Sequence, residues 1–291
     1  MIHIRPQYTL AQPASVNGYG YWSGRDVQVE FRPAKADAGV VFVRRDLNPA
    51  VRIAATVAHR IETPRRTTLR ASGASVEMVE HVLAALAGMR VDNCEVWVDA
   101  SEMPGCDGSS LQFVEAIESA GIVAQRADRP TLIVQEMTRL GDDDSWIEAR
   151  PSPIPGLSIK YRLDYGRDNA IGRQTLALPI TPDTFRKELA ASRTFMLMAE
   201  AEWLRSQGLG LRPTTKDLLV FGDDGPLEND LRFPDECVRH KMLDLVGDLA
   251  LAGCDLSGHF VAHRSGHRLN AELVRMLLTE GEMVRGWRRS A

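Results

Sequence analysis

A faint internal repeat is the feature that most restricts how this 291-residue chain can fold. Six residues of the first half recur in the same order, and at nearly constant spacing, in the second half. They are Glu30, Arg32, Pro33, Gly39, Arg44 and Asp46, matched by Glu148, Arg150, Pro151, Gly156, Arg162 and Asp164. A chance match would explain so short a pattern. A duplication would also explain it, and would produce two similar α+β domains, each a sheet with helices on one face.

Hydrophobic periodicity predicts strands and helices in both halves. The predicted strands are 27–31, 40–45, 94–99, 131–139, 145–150, 157–164, 174–179 and 258–264. The predicted helices are 75–88, 110–121, 199–207, 234–252 and 270–279, with another that starts at Thr181-Pro182. Ser75 is the predicted N-cap of the first helix, because a serine hydroxyl can accept a hydrogen bond from a free N–H of the first turn.

The polar, proline-containing stretch 125–134 marks the predicted domain boundary. It divides the chain into an N-terminal α+β domain of residues 1–127 and a C-terminal α+β domain of residues 128–291. Helical faces of two such domains can pack together, and binding sites often form between domains. The expected architecture is therefore two similar domains packed helix to helix, with the site between them.

Composition and charge argue against several classes of protein. The net charge is −4 and the pI is near 6.0, so a basic surface for nucleic acid is not expected. No run of about 18 apolar residues is present to span a membrane, and the first residues lack a signal-peptide core. The cysteines lack C-x-x-C spacing, which predicts reduced, mostly buried thiols in the cytoplasm. They are Cys94, Cys106, Cys237 and Cys254.

The segment 237–253 carries the most informative polar pattern. His240, Asp244 and Asp248 recur at every fourth residue, with Lys241 beside them. On a helix these three lie within an arc of about 80°. A solvent-exposed face opposite an apolar one would explain the pattern without any function. A histidine and an aspartate at i and i+4 can also bind one metal ion, and would supply two of the three protein ligands of a catalytic zinc.

The helix predicted at 75–88 offers a third ligand. His81 lies among apolar residues, so it is either a core histidine with its hydrogen bonds satisfied or a ligand. Glu80 precedes it, and a buried carboxylate is costly unless a cation lies nearby. Such a glutamate can accept a proton from water whose pKa a metal ion has lowered.

Other candidate residues have ordinary structural explanations as well. His267 follows a glycine in a predicted loop, and Thr194 lies between two predicted helical segments, so each is either a cap or turn residue or part of a site. Asp107 and Ser109 are interpreted as turn residues before a helix. The glycine pattern of residues 18–24 lacks the third glycine and the following helix of a dinucleotide-binding fingerprint.

Several motifs taken together resemble one enzyme family, the UDP-3-O-acyl-N-acetylglucosamine deacetylases of lipid A biosynthesis. They are "VEHVLAALAGMRVDN", "MPGCDGSS", "SRTF", "LRFPDECVRHKMLDLVGDLALAG" and "SGHRLN". The likeness runs over almost the whole chain. The block R-H-K-x-L-D-x-x-G-D is long and ungapped, which makes the resemblance highly specific.

The resemblance implies zinc-dependent hydrolysis of an N-acetyl group, with an acylated UDP-amino sugar as substrate and acetate as a product. It also implies a cytoplasmic monomer without stable membrane insertion. Fe²⁺ is an alternative to zinc at such a site. The residues carried over are the metal ligands His81, His240 and Asp244, the general base Glu80, the acid His267 with its partner Asp248, the carbonyl-polarising Thr194, and the substrate contacts Lys241 and Phe195.

Three departures from the family pattern leave the exact substrate open. Arg212–Asp217 replaces a glycine-rich segment, Trp22 replaces a histidine, and Met78 replaces a threonine. Glycines let a substrate approach the backbone closely, which Arg212-Pro213 would not allow. Two alternatives remain beside the family reaction. One is deacetylation of a different N-acetylated amino sugar, and the other is non-catalytic sugar-nucleotide binding with a structural zinc.

Overall fold

The described part of the chain, residues 4–284 of a computed structural model, has an α+β fold. Its strands are β1 (Pro6–Leu10), β2 (Ala14–Tyr19), β3 (Asp26–Pro33), β4 (Val40–Arg44), β5 (Val51–Ala54), β6 (Arg60–Ile61), β7 (Thr68–Ala71), β8 (Ala74–Glu77), β9 (Cys94–Val98), β10 (Ile122–Asp128), β11 (Thr131–Ile133), β12 (Thr138–Gly141), β13 (Trp146–Arg150), β14 (Leu157–Asp164), β15 (Arg173–Pro179), β16 (Phe195–Leu197), β17 (Leu219–Phe221), β18 (Asp255–His263) and β19 (Glu282–Val284). Its helices are α1 (Glu80–Gly88), α2 (Leu111–Ala120), α3 (Pro182–Thr184), α4 (Met198–Ser206), α5 (Glu236–Leu249) and α6 (His267–Glu280).

The first half of the chain forms a mixed five-stranded sheet in the order β2-β3-β9-β4-β5. Within it β4 and β9 are parallel and the other pairs are antiparallel. Val29 and Val98 lie opposite each other in the register and are both fully buried, so one face of this sheet belongs to the core. The antiparallel sheet β6-β7-β8 leads directly into α1.

The second half contains a seven-stranded sheet with β18 as its most connected strand. β18 pairs antiparallel with β13 and parallel with β11 and β14, while β15 pairs with β14 and β19 with β11. A separate parallel pair, β16 and β17, is connected through α4. β18 ends at His263, so the next turn carries the chain to His267 at the start of α6.

α1 packs directly on α5, and both helices are almost entirely buried. Gly247 of α5 permits the close approach, because a Cβ atom at this position would lie 2.1 Å from the backbone carbonyl oxygen of Glu80. Glu80 is the first residue of α1. The contact therefore brings the polar residues of α5 against the N-terminal turn of α1.

The helix predicted at 75–88 is wrong at its start. The first residues of this segment form β8, which pairs with β7 and buries Val76 completely. Met78 then adopts a φ of 58°, and the helix begins only at Glu80. Ser75 is thus a strand residue and does not cap the helix. Strand pairing depends on residues outside the segment, so local helical spacing alone did not reveal it.

The strand predicted at 131–139 is wrong, because the structure has two separate strands there, β11 and β12. Several other predictions are confirmed, with one further shift of a helix start. Thr181 caps α3 and accepts a hydrogen bond from the N–H of Thr184 at 3.2 Å. α6 begins three residues earlier than predicted, so His267 lies in its first turn rather than in a loop. All four cysteines are free thiols. Between residues 4 and 284, no helix is both long and apolar enough to cross a membrane.

Gly247→Ala is expected to lower the free energy of unfolding by about 2 kcal/mol or more, because the added methyl overlaps backbone atoms of α1. This loss exceeds the roughly 1 kcal/mol by which alanine favours a helix over glycine. Urea unfolding of metal-free protein measures the change. Gly266→Ala is the control, since its Cβ meets no atom within 4 Å, and should cost less than about 1 kcal/mol. Equal urea midpoints for Gly247→Ala and the unsubstituted chain would contradict the close contact.

Candidate active site

Three predicted metal ligands converge where α1 meets α5. Nitrogen and oxygen atoms of His81, His240 and Asp244 all lie within 4.8 Å of one another. The Nε2 atoms of His81 and His240 are 3.5 Å and 3.4 Å from Asp244 Oδ1. All three side chains are buried. The interpretation of this stripe of α5 as a solvent-exposed polar face is therefore wrong.

The protonation and orientation of these groups fit a divalent cation. Burial lowers the pKa of His240 to about 4, so its imidazole is neutral near pH 7. The Nδ1 atom of His240 lies 3.1 Å from the carbonyl oxygen of Ser192, which leaves Nε2 directed at the cluster. Lys241 donates to Asp244 Oδ2 at 2.8 Å, so Oδ1 faces the two histidines. Two imidazole nitrogens and one carboxylate oxygen are the protein ligands of many catalytic metal sites.

A second polar group lies one turn further along α5. Asp248 is fully buried and accepts three hydrogen bonds, from His267 Nδ1 at 2.8 Å, Asn270 Nδ2 at 2.8 Å and Thr67 Oγ1 at 2.6 Å. Burial by itself would lower the pKa of His267, but the charge and hydrogen bond of Asp248, together with the carboxylates of Glu80 and Asp244, outweigh burial and raise this pKa to about 9. Burial likewise opposes ionisation of Asp248, yet the charge of His267 and the hydrogen bonds from His267, Thr67 and Asn270 together keep its pKa below the ordinary value. The pair is therefore an imidazolium–carboxylate pair near pH 7.

The carboxylate of Glu80 differs from that of Asp248 in the direction of its pKa shift. It is buried, and its Oε2 accepts a hydrogen bond from the backbone N–H of Thr67 at 2.9 Å. Burial raises its pKa above the ordinary value, and the positive charge of His267 partly counters this effect. A carboxylate whose pKa is raised is a stronger base than a solvated one.

The three proposed metal ligands, Glu80 and His267 line one cavity of about 1190 Å³. Every predicted site residue lines it except Asp248, which lies behind His267. Thr194 is fixed in the wall by its backbone, since its N–H donates to Gly108 O at 2.7 Å and its carbonyl accepts from Leu219 N at 3.0 Å. The ring centroid of Phe195 lies 6.2 Å from that of His240, so this phenylalanine forms the wall beside the cluster.

Some residues of the site were not identified from the sequence. Thr67 binds both Glu80 and Asp248, but it lies between a loop and a short strand, 13 residues before Glu80 and 181 before Asp248, and no local pattern marks it. Ser192 acts through a backbone carbonyl, which its residue type does not indicate. Asn270 was not identified either, although its spacing of three residues from His267 places both on one face of a helix and could have marked it.

Asp107 and Ser109 hold a turn, as predicted. Both the N–H and the hydroxyl of Ser109 donate to Asp107 Oδ1, at 3.1 Å and 2.7 Å. Asp107 also forms an ion pair with Arg232 at 2.7 Å. These bonds stabilise the chain just before α2 and lie outside the cavity wall.

The three departures from the family pattern lie at the edge of the cavity. Trp22 and Met78 line it, and the guanidinium of Arg66 lies 4.5 Å from the Trp22 ring. Arg212 itself does not line the cavity. Its Nη1 donates to Gly24 O at 2.9 Å and to Asp26 Oδ1 at 2.6 Å. The substitutions therefore alter the walls and leave the polar cluster intact.

Comparison with known proteins gives a consistent result. The family profile described as UDP-3-O-acyl N-acetylglycosamine deacetylase, LpxC, matches residues 7–279. Proteins named UDP-3-O-acyl-N-acetylglucosamine deacetylase from Brucella ovis, Brucella melitensis and Brucella abortus are each 39% identical to this chain over 276 residues, covering 94% of this chain and 96% of the relative. The chain therefore belongs to the LpxC family of deacetylases.

Proposed function

We propose that this chain hydrolyses the N-acetyl group of UDP-3-O-acyl-N-acetylglucosamine in lipid A biosynthesis, giving acetate and the free amine. The observation that carries the proposal is the buried cluster of His81, His240 and Asp244, which shares one cavity with Glu80 and His267. Membership of the family supports the choice of substrate, because the Brucella relatives are named for this reaction.

Each polar group has a distinct role in this reaction. A divalent cation held by the cluster would supply Lewis acidity, which lowers the pKa of water and polarises an amide carbonyl. Glu80 accepts the proton of the attacking water. The hydroxyl of Thr194 donates a hydrogen bond to the carbonyl oxygen as negative charge develops there. His267 donates a proton to the departing amine, while Asp248 keeps its imidazole charged and correctly oriented. Zinc is the proposed cation and Fe²⁺ the alternative.

The cavity suits a large amphipathic substrate. Its volume of about 1190 Å³ lies above the roughly 300–1,000 Å³ typical of ligand pockets. Apolar side chains from the β16-α4-β17 segment line part of it, namely Met196, Leu204 and Val220. Cationic side chains from β15, the turn after β18 and the start of α6 line another part, namely Arg173, Arg264 and Arg268. Lys241 and Phe195 are the proposed substrate contacts beside the cluster.

The proposed domain division supports a site at an interface. It assigns Glu80 and His81 to residues 1–127, and Thr194 and the polar groups of α5 to residues 128–291. All proposed site residues come from one chain, so a monomer is the proposed active form. The cytoplasm is the proposed location, in keeping with the free thiols.

Loss of a ligand should abolish stabilisation by the metal. Zinc added to chelator-treated protein is expected to raise the melting temperature, since a ligand at 1,000 times its dissociation constant contributes about 4 kcal/mol. His240→Ala should remove this increase. His259→Ala is the control, because its Nδ1 bonds Ser158 at 2.8 Å on the sheet, away from the cluster. A full zinc-dependent increase in His240→Ala would argue against the ligand set, and the same titration with Fe²⁺ compares the two metals.

Removal of the general base should stop turnover without loss of metal. Glu80→Gln keeps an oxygen for the Thr67 N–H but cannot accept a proton, so acetate release should fall by roughly 10²- to 10⁴-fold. Its zinc content, measured by mass spectrometry, should match that of the unsubstituted chain. Glu77→Gln, which disturbs an ion pair with Arg66, is the control and should retain activity. Normal turnover by Glu80→Gln would exclude this residue as the base.

The pH dependence of kcat/KM should be bell-shaped. Protonation of Glu80 lowers activity on the acidic side. On the alkaline side His267 loses its proton as the pH rises through a pKa of about 9, or somewhat below, since a bound cation would repel that proton. Asp248→Asn removes the charge that raises this pKa, so the alkaline decline should move to lower pH. An alkaline limb at the same pH in Asp248→Asn would assign the limb to another group.

A further inference from the structure

A buried ion pair lies just outside the cavity and has no part in the reaction described above. It joins Arg193, the residue before Thr194, to Glu236, the first residue of α5 and one turn before His240. Arg193 is 4% exposed and Glu236 is 0% exposed, and neither lines the cavity. Burying two charged groups is costly unless each is fully hydrogen-bonded.

The hydrogen bonds of this pair reach backbone as well as side chains. Glu236 Oε1 accepts from the Arg193 backbone N–H at 2.9 Å and from its Nε at 2.8 Å. Glu236 Oε2 accepts from Arg193 Nη2 at 3.1 Å and from the Arg232 backbone N–H at 2.6 Å. The remaining guanidinium contacts are Nη1 to Asn229 Oδ1 at 2.8 Å and Nη2 to Asp230 O at 2.6 Å. The pair therefore fixes two chain segments against the start of α5.

One of these segments, residues 192–194, contacts the active site through the residues on either side of Arg193. On one side of Arg193, the carbonyl of Ser192 binds Nδ1 of the metal-ligand candidate His240. On the other side, Thr194 lies in the cavity wall. Glu236 and His240 belong to the same rigid helix. The backbone N–H of Arg193 thus binds the helix that carries His240. Because Ser192 contacts the His240 imidazole and Thr194 lies in the cavity wall, this bond fixes the position of the Thr194 side chain relative to that imidazole.

We propose that Arg193 and Glu236 are positioning residues. By fixing the segment 192–194, they set the tautomer and orientation of the His240 imidazole and the position of the Thr194 side chain. The part that concerns Thr194 rests on the proposed function, because Thr194 acts only in the reaction. The part that concerns His240 depends only on metal binding. Groups that orient a metal ligand through its second nitrogen typically change metal affinity or activity by about 10- to 100-fold when lost.

Two variants separate positioning from simple stability. Glu236→Gln keeps the shape of the side chain but replaces one acceptor oxygen by a donor, so one backbone N–H loses its partner. The double variant Arg193→Met with Glu236→Met removes both charges, and apolar replacement of a buried ion pair is often neutral or stabilising. Asp255→Asn is the control, since it weakens a different partly buried pair, with Arg5, outside the active-site cavity.

The zinc affinity of chelator-treated protein is measured by competition with a chromogenic chelator. The melting temperature is measured without metal, and kcat and KM are measured for acetate release. Both variants are expected to bind zinc about tenfold or more weakly and to lose kcat more than KM, even where the melting temperature is unchanged. Asp255→Asn should keep its zinc affinity. Zinc affinity and kcat within about twofold of the unsubstituted chain in a folded Glu236→Gln variant would overturn the proposal.

The same experiment distinguishes failure of this inference from failure of the proposed function. If the unsubstituted chain binds zinc but releases no acetate, the substrate is wrong and the zinc affinities still test the positioning of His240. If it releases acetate and Glu236→Gln is unchanged in zinc affinity and kcat, the function stands and the positioning role does not. Should the double variant fail to fold, Glu236→Gln alone decides.

Discussion

The close contact between α1 and α5 is the constraint on which the active site depends. Gly247 lets the backbone of α5 approach the first turn of α1 so nearly that a single methyl group would overlap it. At that distance His81 of one helix reaches His240 and Asp244 of the other. A wider separation would leave the buried His81 imidazole without Asp244 as its partner, which is energetically costly.

Two aspartates one turn apart on α5 illustrate how surroundings assign roles to identical side chains. Asp244 faces two imidazoles and a lysine, and positive charge holds its pKa well below the ordinary value despite burial. Asp248 faces His267 and two neutral donors, and it stabilises the charged form of that histidine. Helical spacing places both on one face, but only the elements packed around them distinguish a metal ligand from the partner of an acid.

The elements predicted best are those whose pattern is local. α2, α3 and the longer strands follow directly from periodicity and capping, and the spacing of His240 and Asp244 marks the ligand pair of α5. The start of α1 was predicted wrongly because the pairing of β8 with β7 competes with helix formation. Thr67 and Ser192 were not identified, since each contributes to the site through contacts between segments distant in sequence.

The sequence by itself determined the chemical types of the site: three histidines, their carboxylate partners, and the motifs that relate the chain to a deacetylase family. Only the tertiary structure decided which groups meet, which of them are charged, and that Arg212 lies outside the cavity wall. The reason is physical. Residue type and helical spacing act over a few residues, whereas burial, pKa and ligand geometry depend on groups brought together by packing.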